Sequence, residues 1–165
     1  MYNFQVEDFH TYHVGNAGVL VHNADCPKGT NGYTGERSEQ ELKELVADPA
    51  HRGSTRPIDI AKGEHEARIG LDLEERGFLN RIKRDPTGKA EFIDENGQAW
   101  DVKSFNSNFK PSKGGYRLDK AMNTINKSLS ENENVILDTS NMHLEHINEL
   151  TDALTAQGKI SNVLF

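Results

Sequence analysis

The chain has 165 residues, of which 35% are hydrophobic, and a formal net charge of −7 at pH 7. This length is enough for one domain with its own core plus an appendage. No apolar run approaches the roughly 18 residues of a membrane-spanning helix, and the single cysteine, Cys26, excludes an internal disulfide. The charge is uneven, because residues 76–127 hold eleven Lys and Arg against six Asp and Glu. That basic block predicts a surface for a phosphate-bearing partner.

The first 35 residues differ in pattern from the rest of the chain. The residue pattern of positions 1–23 predicts β-structure, with the strands "FHTYHV" and "VLVH" joined by the turn "GNAG". Residues 24–35 contain four Gly or Pro and are typical of a linker. We therefore expect three parts, with boundaries at 1–23, 24–35 and 36–165.

Two helices and a short strand are predicted next. A helix is expected at 38–47, where Ser38 and Glu41 have the spacing of a capping box. A second helix is expected over residues 63–76 and stops at Gly77. "FLNRIKR", residues 78–84, is a candidate first strand, and the turn sequence "DPTG" ends it.

The second half of the chain predicts a β-hairpin followed by helix, strand and helix. The hairpin is "KAEFIDENGQAWDVKSF", and the amphipathic helix "RLDKAMNTINKSLS" follows it. "NVILDT" is a short apolar strand, "HLEHINELTDALTAQG" is a helix stopped by Gly158, and "ISNVLF" is a candidate edge strand. The predicted fold class is α/β (α+β), with a mixed central sheet flanked by helices.

Two charged residues stand inside the second strand of the hairpin. Asp101 and Lys103 belong to residue types that are depleted in strands. The two-residue period of a strand places both on one face, which we expect to line a cleft, and sends Trp100 and Val102 to the core.

The length of the turn decides which acid of the first strand joins them. A three-residue turn "ENG" with Gly97 in the left-handed conformation puts Glu91 opposite Asp101. A two-residue turn "NG" instead puts Asp94 on that face. The three-residue turn is preferred, because it leaves Phe92 to pack with the core side of the second strand.

Two carboxylates and an ammonium on one patch suit phosphodiester chemistry. Carboxylate oxygens are ligands for Mg²⁺ or Mn²⁺, which keep waters and take phosphate as a further ligand. Such an ion lowers the pKa of its water, and Lys103 can orient or deprotonate that water or neutralise the phosphate. The alternative is an exposed cross-strand salt bridge that contributes about 0–1 kcal/mol.

The order of these motifs resembles the PD-(D/E)XK nuclease superfamily, which has a restriction-endonuclease-like core. The resemblance implies that Glu66, in "GEHEARIGLDLEERGF", is a metal-binding acid, with Glu64 as the alternative. It implies the strand-one acid at Glu91 or Asp94, and the (D/E)-x-K motif in "DVK", residues 101–103. The expected cofactor is Mg²⁺ or Mn²⁺, with Zn²⁺ as a further option. One departure is that no Pro precedes the strand-one acid.

Several residues beside the proposed acids and Lys103 are expected to have supporting roles. We expect Lys89, Lys110 and Lys113 to bind substrate, with Asn106 and Asn108 as further contacts of the loop after the hairpin. Asp138, at the end of "NVILDTSNM", is expected to cap the following helix, and an approach to the hairpin site is the alternative. His143 and His146 are three residues apart and could suggest a metal pair, but with no third ligand identified they are interpreted as surface residues.

The N-terminal segment "VEDFHTYHVGNAGVLVHNADC" is similar to the C-terminal end of a Hint (hedgehog/intein-like) domain. That resemblance implies that His22 and Asn23 are a processing remnant, in which the histidine assists cyclisation of the asparagine and cleavage before Ala24. Because the rest of a Hint fold is missing from these residues, we expect the fragment to be inactive.

Together the two resemblances imply the C-terminal toxin of a bacterial polymorphic or contact-dependent effector. The expected function is a metal-dependent endonuclease that cleaves DNA in interbacterial competition, with tRNA or other RNA as the alternative substrate. The implied partners are nucleic acid and a cognate immunity protein. The implied route is delivery within a larger secreted or surface effector into the target-cell cytoplasm. The competing interpretations are a catalytically inactive binding module and chemistry at Cys26 or at His10 and His13.

Overall fold

A computed structural model describes Gly29 and residues 31–51 and 54–165, together with the backbone of three strands in the first 22 residues. The chain divides into two compact units, Met1–Arg84 and Asp85–Phe165. Within the described residues, no helix has both the length and the apolar character needed to cross a membrane. The boundaries predicted at residues 23 and 36 stay predictions.

The first unit begins with a small antiparallel sheet. Its strands are β1 (Phe4–Gln5), β2 (Thr11–Val14) and β3 (Val19–His22), and they lie side by side in that order. The two strands predicted for this segment are therefore confirmed, and β1 is added to them. Thr11 pairs with His22 and Val14 pairs with Val19, so β2 and β3 form a hairpin.

Helix α1 (Glu39–Val46) begins as its sequence predicts. The Ser38 hydroxyl accepts a hydrogen bond from the backbone N–H of Glu41, and the Glu41 carboxylate accepts one from the backbone N–H of Ser38. This reciprocal capping box satisfies two N–H groups that a helix start leaves free. The 3₁₀ turn Pro49–His51 follows the helix.

Helix α2 (Pro57–Glu75) starts six residues before its predicted start at residue 63. A proline in the first turn suits a helix start, because the N–H that proline lacks would have no intrahelical partner there. Ile58 and Ile60 in this added part are 67% and 44% exposed. Because these apolar side chains do not face a core, hydrophobic periodicity gave no signal for this part of the helix.

Buried ion pairs and one close backbone approach hold the first unit together. A Cβ at Gly63 would collide with the backbone carbonyl oxygen of Val46, so α2 approaches the end of α1 closely at a glycine. The guanidinium of Arg37 binds both carboxylate oxygens of Glu74 at 2.8 and 2.7 Å. Strand β4 (Ile82–Arg84) closes the unit and is shorter than the predicted strand 78–84.

The second unit is a mixed sheet with two helices. Its strands lie in the order β5 (Phe92–Asp94), β6 (Ala99–Ser104), β7 (Glu133–Asp138) and β8 (Val163–Leu164). β5 and β6 are antiparallel, whereas β7 runs parallel to both β6 and β8. The predicted α/β class with a mixed sheet is confirmed.

Helices α3 (Leu118–Ser130) and α4 (Leu144–Ala156) supply most of the core of this unit. Two 3₁₀ turns, Pro111–Lys113 and Ile160–Asn162, precede α3 and β8. One core cluster of the unit combines Tyr116, just before α3, with buried residues of both helices and of β7 and β8: Ala121, Met122, Ile125, Val135, Leu137, Leu150, Leu154 and Val163.

Candidate active site

The hairpin has the predicted three-residue turn. Phe92 pairs with Trp100 and Ile93 pairs with Ala99, and the Glu91 backbone N–H donates to the Trp100 carbonyl oxygen at 3.1 Å. Gly97 has a φ of +80°, which is the left-handed conformation that the turn requires. The preferred register is confirmed, and Phe92 and Trp100 are buried as expected.

The two acids and the lysine come together on the hairpin. The carboxyl groups of Glu91 and Asp101 lie close enough to influence each other's protonation. The Lys103 ammonium forms an ion pair with Asp101 Oδ2, and the backbone N–H of Val102 donates to Glu91 Oε2 at 2.8 Å. Two neighbouring carboxylates repel each other unless a proton or a cation lies between them, so this pair is a place that a cation can occupy.

Asp101 is more enclosed than a residue lining an open cleft. Only 4% of it is exposed, because α3 lies on this side of β6 and the Ser128 hydroxyl donates a hydrogen bond to Asp101 Oδ2. The Lys103 side chain is 27% exposed. The expected open cleft is therefore corrected to a buried acid beside a half-buried lysine.

The charge of Asp101 is stabilised by its neighbours. Burial raises the pKa of Asp101, but hydrogen bonds with Glu91, Lys103 and Ser128 outweigh burial and hold the pKa below its ordinary value. At the start of β7, Glu133 is also buried. Burial, and then the nearby Asp101 carboxylate, raise the pKa of Glu133. Asp101 is thus the carboxylate that this environment keeps ionised.

Asp94 has a different environment from Glu91. Its carboxylate accepts hydrogen bonds from the backbone N–H groups of Asn96 and Gln98 at 2.9 and 3.0 Å, and from the Trp100 indole at 3.2 Å. Asp94 therefore shapes the hairpin turn and lies on the Trp100 side of the strand. Of the two alternatives for the acid beside Asp101, the structure brings the Glu91 carboxyl group to Asp101.

The acids predicted on α2 belong to the first unit. Glu66 is buried, and its carboxylate binds the Arg84 guanidinium at 3.0 Å and the Lys62 ammonium at 2.5 Å. Arg84 also donates to the backbone carbonyl oxygens of Leu45 and Val46. Glu66 therefore has a structural role in this unit, and its predicted role as a metal ligand stays a prediction, as does that of the half-buried Glu64.

The lysines predicted to bind substrate are accessible. Lys89, Lys110 and Lys113 are all exposed. Lys110 accepts backbone hydrogen bonds from Lys113 and Gly115 at 2.8 and 3.0 Å, so the 3₁₀ turn presents both lysines from an ordered loop. Their role as substrate contacts stays a prediction.

Near the end of the unit, the structure contradicts one prediction and adds a candidate ligand to another. Asp138 does not cap α4, because its carboxylate accepts from the backbone N–H of Ser140 at 3.0 Å and from the Ser104 hydroxyl at 2.9 Å. It forms a local turn instead. His143 and His146 do have a third candidate ligand nearby, the carboxylate of Glu145.

Sequence reasoning did not find Ser128 or Glu133. Ser128 is a small polar residue within an amphipathic helix, and only the packing of α3 on β6 brings it to Asp101. Glu133 precedes an apolar run, and burial of an acid at that point has no sequence signal. The predicted residues His10, Asn23 and Cys26, together with the side chains of His13 and His22, lie outside the described part of the structure.

Comparisons with known proteins add no assignment, since no protein-family model, curated protein or solved structure matches the chain.

Proposed function

We propose that the chain is a metal-dependent nuclease whose active site includes Glu91, Asp101 and Lys103. The observation that carries the proposal is the arrangement on the hairpin, where the Glu91 and Asp101 carboxyl groups are neighbours and the lysine forms an ion pair with Asp101. This combination supports phosphodiester hydrolysis, because it offers two cation ligands and a positive charge on one patch.

The donor set fits Mg²⁺ or Mn²⁺. Both are hard ions that bind one or two protein carboxylates and complete their coordination with water and substrate phosphate. Glu91 and Asp101 would hold the ion with their carboxylate oxygens. When bound, such an ion lowers the pKa of a coordinated water and offsets negative charge on the phosphoryl oxygens.

The protein residues have separate tasks in the reaction. Hydrolysis adds the oxygen of one water to phosphorus and breaks one P–O ester bond, and the departing alkoxide takes a proton. Lys103 supplies a positive charge where the phosphoryl group gains negative charge. Ser128 donates to Asp101 and so orients this acid toward the hairpin.

The substrate and the biological setting follow from the two sequence resemblances. We propose DNA as the substrate, with tRNA or other RNA as the alternative. We further propose that the chain acts as the toxin of a larger polymorphic effector, delivered into the cytoplasm of a competing bacterium and inhibited by an immunity protein in the producer. His22 and Asn23 would then be the remnant of the preceding Hint domain.

A second candidate function is an inactive binding module. It is favoured by the enclosed state of Asp101, which is 4% exposed and already bonded to Ser128 and Lys103. In that case the acids and the lysine stabilise the hairpin without any ion.

A cleavage assay distinguishes the two functions. The full chain is incubated with plasmid DNA and with total tRNA in Mg²⁺, Mn²⁺ or EDTA. We expect metal-dependent cleavage that falls at least about 100-fold in Asp101→Asn and Lys103→Ala. Glu91→Gln is expected to lose activity. The matched control is Asp94→Asn, which changes an acid of the same hairpin on the Trp100 side, and it is expected to keep activity.

A thermal-shift titration with Mn²⁺ completes the test. A metal site stabilises the folded chain on binding, so wild type should gain thermal stability and Asp101→Asn should not. If folded wild-type protein cleaves neither polymer and gains no stability with Mn²⁺, the nuclease proposal fails and the binding module replaces it. Glu66→Gln in the same assays tests the remaining predicted ligand.

A further inference from the structure

We propose that His143, Glu145 and His146 form a binding site for a divalent transition-metal ion, with Zn²⁺ as the best match. One ligand atom from each of these side chains lies within 4.8 Å of the other two. Two imidazoles and one carboxylate form a set of three protein ligands that Zn²⁺ accepts, with a fourth position left for water. The nitrogen donors distinguish this site from the all-oxygen pair of Glu91 and Asp101, and the proposal does not depend on the proposed nuclease function.

The spacing of the ligand atoms suits closure around an ion. Zinc bonds of about 2.0–2.2 Å in a tetrahedral arrangement place ligand atoms roughly 3.3–3.5 Å apart. The three groups must therefore approach by at most about 1.5 Å from their present limit of 4.8 Å. Glu145 is exposed, so rotation of its side chain can bring its carboxylate toward the two rings.

Hydrogen bonds already orient both imidazole rings. His143 Nε2 lies 3.2 Å from Asn108 Oδ1, and His146 Nδ1 lies 2.8 Å from Ser107 Oγ. In each ring one nitrogen is engaged, and the opposite nitrogen is the one that can bind metal. Metal-binding histidines characteristically hydrogen-bond through their second nitrogen, which fixes the ring and raises its basicity.

The site is built on ordered neighbours. The His146 ring stacks on the buried Tyr116 ring with a centroid distance of 4.5 Å. The His143 ring lies nearly parallel to the His146 ring, with a centroid distance of 5.9 Å. The backbone N–H of Ser107 donates to the carbonyl oxygen of Asn141 at 2.8 Å. This hydrogen bond holds the loop after β6 against the segment before α4. Preorganised ligands of this kind lose little freedom when an ion binds.

The position of the site at the start of α4 weakens it only slightly. The positive end of a helix dipole disfavours a cation by about two- to five-fold in affinity. Glu145 lies in the first turn of α4, and its carboxylate supplies a compensating negative charge. The unfavourable effect of the helix dipole on cation affinity is therefore smaller than the favourable effect of three ligands.

Calorimetric titration of the full chain, stripped of metal with EDTA and dialysed, tests the proposal. We expect Zn²⁺ to bind at micromolar or lower concentration and Mg²⁺ not to compete. The variant His143→Gln/Glu145→Gln changes two exposed side chains, so the fold should persist. It is expected to bind Zn²⁺ at least about 100-fold more weakly, while the matched control His51→Gln/Glu39→Gln is expected to match wild type.

Two further measurements separate this site from any other zinc-binding residues of the chain. Asn108→Ala removes a group that orients His143 and is expected to weaken binding by about 10- to 100-fold. Ring-nitrogen NMR signals of His143 and His146 should shift on addition of one equivalent of Zn²⁺. Unchanged affinity in the double variant, unshifted ring signals, or binding only at millimolar Zn²⁺ would each overturn the proposal.

Discussion

Asp101 illustrates how a single buried charge is stabilised in this chain. A carboxylate removed from water requires hydrogen bonds or opposite charges to remain ionised. Asp101 receives a hydroxyl hydrogen bond from Ser128, an ion pair from Lys103 and a carboxyl contact from Glu91. These partners hold its pKa below the ordinary value although burial alone raises it.

The Ser128 hydroxyl is expected to contribute to stability as well as to orientation. Ser128→Ala leaves one oxygen of the buried Asp101 without its hydroxyl donor. Hydrogen bonds to charged groups contribute about 1.5–3 kcal/mol, so we expect the free energy of unfolding in urea to fall by that amount. Ser130→Ala is the matched control, because the Ser130 hydroxyl is exposed and donates only to the Lys127 carbonyl oxygen. An equal effect of both variants would contradict a special role of Ser128.

At the scale of secondary-structure elements, local signals predicted the hairpin and most helices well. The capping box fixed the start of α1, Gly77 and Gly158 marked helix ends, and the "ENG" turn fixed the register of the hairpin. The sequence could not indicate the first part of α2, because its isoleucines are exposed. Such elements depend on context beyond their own hydrophobic pattern.

The candidate site was predictable only where neighbours are close in sequence. Glu91, Asp101 and Lys103 meet because one short turn joins their strands, so strand period and turn length were sufficient. Ser128 and Glu133 reach Asp101 through the packing of α3 and the parallel pairing of β7 with β6. Contacts across such sequence distances depend on tertiary packing, which a local pattern does not encode.

The ion pair between Arg37 and Glu74 is expected to stabilise the first unit strongly. Both side chains are nearly inaccessible, with exposed fractions of 3% and 6%, and the Glu74 carboxylate also accepts from the backbone N–H of Ile82. Glu74→Gln leaves the Arg37 charge buried without its partner, so we expect a loss of about 3–5 kcal/mol in the free energy of unfolding. Glu75→Gln, at the next and exposed position, should cost less than about 0.5 kcal/mol.

The same pair predicts a pH dependence of stability. Burial raises the pKa of Glu74, but bonds to Arg37, Ile82 and Tyr33 outweigh burial and lower the pKa below its ordinary value of 4.5. A lowered carboxyl pKa contributes stability that is present above the unfolded pKa and is lost as pH falls through the folded pKa. The difference between wild type and Glu74→Gln in urea unfolding should therefore be largest near neutral pH and shrink below about pH 4.5. A difference that grows on acidification would contradict this assignment.

At the scale of the whole molecule, a net charge of −7 opposes binding to nucleic acid, whereas the basic block at 76–127 favours it locally. Lys110 and Lys113 are exposed members of that block, held in one ordered loop. If they contact substrate phosphates, they should release counterions from the nucleic acid on binding. The salt dependence of binding then measures their contribution separately from catalysis.

We expect Lys110→Gln/Lys113→Gln to remove two phosphate contacts and therefore to make binding less dependent on salt. Binding is measured by fluorescence anisotropy in the Asp101→Asn background, so that cleavage does not interfere. The slope of log Kobs against log salt concentration should become shallower by about 1.8 for duplex DNA or about 1.4 for a single strand. Lys43→Gln/Lys159→Gln removes the same charge from outside residues 76–127 and should leave the slope unchanged. Equal changes in both double variants would mean that total charge, and not this loop, controls binding.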